Sequence, residues 1–154
     1  MFWGAIGGGK KLKFFDIDGN LNGTKYKSLL KKNCMKLIRR VGTTMNVIWM
    51  QDNAPSHRAK KVQNYFSRKK IKLLKWPPYS PDLNPIENLW GSIKRKIALR
   101  SPKTKNEIRK IAKQEWKRLS NSEVNELYLS MPRRIKAVLK KSWISDEILN
   151  RILS

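Results

Sequence analysis

Between Trp76 and Pro85 the sequence WPPYSPDLNP sets four prolines into ten positions. Each proline locks φ at about −65° and gives up its backbone donor, and the residue before it is pushed out of the helical region. No helix or inner strand can cross such a stretch. The chain must end one element before it and begin another after it. IKLL (71–74) reads as the short strand that ends. Asn84-Pro85 reads as the helix start, with Asn as N-cap and Pro in the first turn. A loop this rich in proline loses little entropy when it orders, so it fixes where the next helix points.

MFWGAI (1–6) and LKFFDI (12–17) read as two strands, with Gly7-Gly8-Gly9-Lys10-Lys11 turning between them. Gly4 to Gly9-Lys10 has the spacing of a phosphate-binding loop. Such a loop continues with Ser or Thr and then a helix. Here Lys11 and a strand follow, so the segment reads as a hairpin. Residues 18–23 form a loop. A helix is predicted from Thr24 to about Val41, with Tyr26, Leu29, Leu30 and Leu37 on its apolar side and Gly42 as its stop. MNVIWM (45–50) reads as a short strand buried on both faces, as in the middle of a parallel sheet. Pro55 opens a second helix whose inner stripe is Ala59, Val62 and Phe66. The helix from Pro85 puts Ile86, Leu89, Trp90, Ile93 and Ile97 on one face, and two or three basic amphipathic helices fill the last third. The order is α/β, without repeats or a long linker.

Lys and Arg number 35 against 11 Asp and Glu, a formal charge of +24. That balance calls for a polyanionic partner, with nucleic acid as the default. No segment approaches the ~18 consecutive apolar residues of a membrane span, and no signal-peptide pattern opens the chain, so no membrane partner is expected. One cysteine, Cys34, rules out an internal disulfide, and one Cys with one His rules out a Cys/His zinc site. A metal here would be held by oxygen, which favours magnesium or manganese.

Two acids stand out. Asp52 follows the apolar run 45–50, where the carboxyl end of a central strand gathers catalytic groups. It can equally start a turn or cap the next helix. Glu87 sits three residues after Asn84, the place of a capping-box acid. It also lies just off the apolar stripe, with Gly91 leaving room one turn on and Lys94 and Arg95 continuing that side. Phosphodiester cleavage needs its attacking and leaving oxygens stabilised together. Two divalent ions roughly 3.5–4 Å apart do both, and carboxylates hold them. Two carboxylates can bracket one ion; bridging two usually takes a third.

QDNAPSH (51–57), WPPYSPDLNPIENLWGSIKRKI (76–97) and LSMPRRIKAVLKK (129–141) together resemble the catalytic region of the mariner-type superfamily of DDE transposases. The 34 residues between Asp52 and Glu87 match that family's spacing for its second and third acids, and MFWGAI resembles its second strand. The resemblance covers the chain at least to Lys141. It implies an RNase H-like fold, with residues 1–100 as sheet and catalytic core and 101–154 as C-terminal helices. It implies Asp52 and Glu87 as catalytic acids and ligands of Mg2+ or Mn2+, two ions in the complete site. The reaction implied is hydrolysis at a transposon end, then strand transfer to target DNA, without a covalent enzyme intermediate. Asn53 and His57 belong to the matched motif and are candidates to orient the acid or touch DNA. His57 also reads simply as a solvated residue in a helix's first turn. Lys94, Arg95 and Lys96 are candidates to bind DNA phosphates, with Arg133-Arg134 and Lys140-Lys141 as further basic runs.

The family's first catalytic Asp lies on a strand upstream of the WG motif, and this sequence starts at that motif. Asp16 and Asp18, the only acids before Asp52, fall in a loop the family does not use for catalysis. The expectation is therefore an incomplete α/β fold: a mixed sheet lacking its first, central strand, with helices on both faces and a helical C-terminal third. A truncated copy or partial gene product is expected, with free backbone groups and apolar surface where the strand is missing. The resemblance further implies a dimer or larger assembly and, for a eukaryotic host, the nucleus. A non-catalytic DNA-binding remnant is the competing expectation. A ribosomal-type basic protein explains the charge but neither the acid pair nor the proline loop.

Overall fold

The computed structural model describes residues 1–77 and 80–141. The chain opens with an antiparallel hairpin, β1 (Phe2–Gly7) and β2 (Lys10–Asp16). Gly8 and Gly9 make its two-residue turn, with φ of 56° and 69°. A tight hairpin turn of the right twist demands positive φ at both positions, which glycine adopts without strain. The hairpin reading holds, and the phosphate loop stays rejected.

Helix α1 (Gly23–Arg39) starts at Asn22, whose side-chain oxygen accepts from the backbone N–H of Thr24 and Lys25 at 3.1 and 2.9 Å. Such a cap contributes about 1 kcal/mol. Two short strands, β3 (Ile48–Trp49) and β4 (Lys72–Leu73), pair in parallel. Between them come α2 (Pro55–Arg58), a single turn, and α3 (Lys60–Arg68). Ala59, with φ −53° and ψ 129°, separates the two, so the helix expected from Pro55 is two pieces. The proline loop ends in a 3₁₀ turn (Pro81–Leu83) that leads into α4 (Pro85–Leu99). Three helices then follow among the described residues: α5 (Lys105–Arg118), α6 (Asn121–Leu129) and α7 (Met131–Lys141). The rest of the expected C-terminal third lies outside the described residues.

Burial falls into two cores. The first joins Tyr26, Leu30, Cys34 and Ile38 of α1 to Val62, Tyr65 and Phe66 of α3 and to Ile71, with Trp49 and Leu73 of the parallel pair against it. The second joins Leu89 and Ile93 of α4 to Ala112 and Trp116 of α5, Leu119 and Val124. The hairpin stands between them. Trp3 packs on the first core; Phe2, Ile6 and Phe14 pack on the second. Side chains alternate across a strand, so one hairpin serves helices on both faces. Gly4 lets the second core come close: a Cβ there would lie 2.8 Å from the Trp90 ring and 3.0 Å from Trp116.

The sheet is not continuous. Among the described residues β1 pairs only with β2, and β3 only with β4. A groove of about 970 Å³ runs along both β1 and β3. Among the described residues each of these strands has one edge without a strand partner. One expectation is corrected. Residues 45–50 do not form a strand buried on both faces: only Ile48 and Trp49 pair, Ile48 is 58 % exposed and Met45 84 %. Trp49 packs against the first core, whereas Ile48, paired with Lys72 of β4, belongs to neither core and stays exposed.

Candidate active site

Asp52 lies three residues beyond β3, at its carboxyl end, and Glu87 lies in the first turn of α4. One acid thus hangs from the first core and the other from the second. Both line the groove.

Asp52 is half-exposed and held at one oxygen. Its Oδ1 accepts the Ala54 backbone N–H at 3.0 Å and lies 2.6 Å from His57 Nδ1. A carboxylate only accepts, so the imidazole carries the shared proton. The turn-starting role foreseen for Asp52 is real, but it occupies Oδ1 alone. No side chain caps α2, whose N-cap is Ala54.

Glu87 is not consumed by its helix start either. At α4 the Asn84 side chain makes no capping bond; the Glu87 backbone N–H bonds only to the Asn84 carbonyl, at 3.1 Å. The contrast is α6, where Ser120 and Glu123 form a complete capping box. The capping box that the Asn84–Glu87 spacing allows is therefore absent, and the Glu87 carboxylate lines the groove. Burial holds that carboxyl above the usual carboxylate range, the Lys94 ammonium pulls it back, and the Asp52 charge pushes it further up. Gly91 adds open space: a Cβ there would meet no atom within 4 Å.

The remaining sequence-predicted residues separate. Asn53 is exposed, and its side-chain amide donates to the Trp76 carbonyl at 2.9 Å, tying the Asp52 loop to the proline loop. The His57 ring is not a solvated group: its side chain is 14 % exposed and turned to Asp52. Lys94 and Arg95 are exposed on the Glu87 side of α4. Lys96 faces α5, where its Nζ lies 3.5 Å from Glu115. Arg100 and Arg118 hold the same buried carboxylate at 2.6 and 2.9 Å. Asp16 and Asp18 are paired with Arg109 of α5, at 3.3 and 3.2 Å. Arg134 of α7 donates to the Asp82 carbonyl at 3.3 Å.

Sequence reasoning missed the support behind Asp52. Tyr26, read there as an apolar position, is buried and donates its hydroxyl to Gln51 Oε1 at 2.8 Å. Its ring lies 4.4 Å from the His57 ring. Gln63 donates to the His57 carbonyl at 2.8 Å. It missed Glu115 too, although a signal was present: Glu115 stands on the stripe of Ala112, Trp116 and Leu119, where an acid needs a partner.

Asp52 and Glu87 are hard oxygen donors on one groove, the chemistry of a magnesium or manganese ligand pair. They suit one ion. Among the described residues no cluster of three or more His, Cys, Asp or Glu side chains is placed to hold a metal.

The Tcb1 transposase of Caenorhabditis briggsae is 36 % identical over 141 residues, which cover 90 % of this chain and 50 % of that protein. The chain spans about half the length, or less, of the curated relatives it matches. A solved structure of the Mos1 transposase catalytic domain with Raltegravir and Mn superposes with a TM-score of 0.63 at 22 % identity, over 79 % of this chain and 64 % of that one. The Mos1 paired-end complex with the left transposon end gives 0.62 at 23 % identity, over 79 % of this chain and 36 % of that one. At these identities the superpositions speak for the fold alone, an RNase H-like one. The family description that matches, over residues 2–109, is DDE superfamily endonuclease. A match that begins in the first strand of the hairpin, takes in both acids and ends inside α5 makes this chain a member of the DDE superfamily endonucleases.

Proposed function

We propose that this chain is the larger part of a transposase catalytic domain. It would hydrolyse DNA at transposon ends and transfer the freed strand to target DNA, cut-and-paste fashion. One observation carries the reading. Asp52 and Glu87, held by separate cores, line one groove, and the Asp52 charge is among those that raise the Glu87 carboxyl. The Mn in the similar Mos1 structure and the transposon end in another support it by analogy.

Asp52, through its untied Oδ2, and Glu87 would hold one Mg2+ or Mn2+. An ion held there would supply Lewis-acid stabilisation of the charge that develops on a phosphodiester oxygen. Lys94 and Arg95, beside Glu87, would receive the DNA backbone, and the overall charge would draw it in. The second ion of a complete site calls for a third carboxylate. The groove runs along β1 and β3, whose outer edges have no strand partner among the described residues, and would suit an extended segment that carries it. Dimeric or higher assembly on paired ends, in a nucleus, is part of the same reading.

The 154 residues alone are then expected to bind DNA without cutting it. Fused behind the part of the Tcb1 transposase that precedes the matched region, they should nick supercoiled plasmid in Mg2+, and Asp52→Asn should abolish the nicking. A fusion that folds, binds DNA and never cuts in Mg2+ or Mn2+ would leave the second reading, a DNA-binding remnant. The +24 charge favours that reading as much as the first.

A further inference from the structure

We propose that His57 is a positioning residue that fixes Asp52 for its ion, and that Tyr26 and Gln63 exist in this place to hold His57. The inference rests on the reading of Asp52 as an ion ligand.

The case begins with an oddity of the backbone. Helix α2 is one turn of four residues with no side-chain cap, and Ala59 cuts it off from α3. A single turn has almost no stability of its own. Something outside it must keep it formed. The supports converge on His57. Its carbonyl, at the open end of the turn, accepts from Gln63 Nε2 at 2.8 Å and from Gln51 Nε2 at 3.4 Å. Its ring packs on Tyr26, with centroids 4.4 Å apart. Tyr26 is 1 % exposed and bonded in turn to Gln51. Backbone and ring are thus both fixed, and the ring's Nδ1 faces Asp52 Oδ1 at 2.6 Å.

The consequence concerns the carboxylate. Asp52 is 49 % exposed at its side chain, far less confined than His57 at 14 %. An exposed aspartate turns freely about χ1 and χ2 unless something ties it. Here Oδ1 takes the Ala54 N–H and the imidazole N–H, which directs Oδ2 away from both. A carboxylate held this way meets an ion in one orientation and without first losing rotamer freedom. Outer partners of metal ligands commonly change affinity roughly 10- to 100-fold. A purely architectural His57 would stabilise the α2 turn and leave ion affinity alone.

The test uses the 154-residue chain, Mn2+ as probe, and calorimetry or electron paramagnetic resonance to read the binding. His57→Ala should weaken Mn2+ binding roughly tenfold or more. His57→Asn puts an amide N–H where Nδ1 stands and should recover most of the loss. His57→Gln puts its amide beyond that point and should not. A second readout needs no metal. The Nδ1-bound proton of His57 should give a sharp downfield NMR signal in the parent chain, and Asp52→Asn should remove or shift it. If Asp52→Asn abolishes Mn2+ binding while His57→Ala binds as the parent does, the positioning role is wrong and the site reading survives. If His57→Asn fails alongside His57→Ala, the N–H is not what matters and the proposal is overturned. If Asp52→Asn itself leaves Mn2+ binding intact, the site reading falls and the proposal with it.

Discussion

The two acids of the groove are held by opposite means. Glu87 stands on α4, a helix of fifteen residues rooted in the second core. There Phe14, Trp90 and Trp116 pack ring against ring at 5.4–6.0 Å, and a buried carboxylate, Glu115, pins α5 to α4 through Lys96 and Arg100. Asp52 stands on a loop after a two-residue strand in which Ile48 is exposed. Hydrogen bonds to Ala54, His57 and, through Asn53, to Trp76 hold it. Packing places one acid and a local polar network places the other. Packing is shared over many residues. A polar network of this kind fails one bond at a time.

That contrast can be broken from the packed side first. Trp116→Ala opens a cavity among Gly4, Phe14 and Trp90 and should cost about 3–5 kcal/mol, read as a large drop in the urea midpoint. A loss under about 1 kcal/mol would mean that the aromatic stack does not carry this half. Gly4→Ala should cost about 1–3 kcal/mol, because its Cβ would strike the Trp90 ring from 2.8 Å. Gly91→Ala, by contrast, meets open space and should stabilise α4 by up to about 1 kcal/mol. Any loss of ion or DNA binding in that variant would then belong to the groove rather than to stability.

On the other side the expected effects are local. Asn53→Ala removes one exposed bond to Trp76 and should cost about 1 kcal/mol or less. Its sign should be faster amide exchange in residues 74–76, with the unfolding midpoint nearly unchanged. The smallest effect concerns pH. The backbone N–H of Ser120 and its hydroxyl hold the Glu123 carboxyl below its usual range. A lowered folded-state pKa adds stability above the unfolded value, about 4.3, and loses it as pH falls through the folded one. The start of α6 should therefore fray as pH drops below about 4, which exchange rates at the 121–124 amides would report.

Much of this was legible in the sequence. Gly8-Gly9 announced the hairpin, and Asn84-Pro85 announced α4, because turns and helix starts are local and carry their own residue chemistry. The motifs around Asp52 and Glu87 pointed to the acids, and their helical spacing put Lys94 and Arg95 with Glu87. What stayed hidden needed the third dimension. Periodicity placed Tyr26 on an apolar face but could not show that its hydroxyl meets Gln51. Lys96 looked like its neighbours until α5 brought Glu115 to it. His57 looked solvated because its partner for burial, Tyr26, comes from another helix. The length of β3 was overread because an apolar run signals burial but not which neighbours exist to supply it.

The central claim is that Asp52 and Glu87, from two cores, hold one ion together. The most direct measurement is Mn2+ affinity in a double-mutant cycle of the parent chain, Asp52→Asn, Glu87→Gln and the pair. Each single variant should lose most of the affinity, and the pair should lose little more, with one ion bound per chain in the parent. Strictly additive losses, or a single variant that binds as the parent does, would show that the two acids do not share an ion.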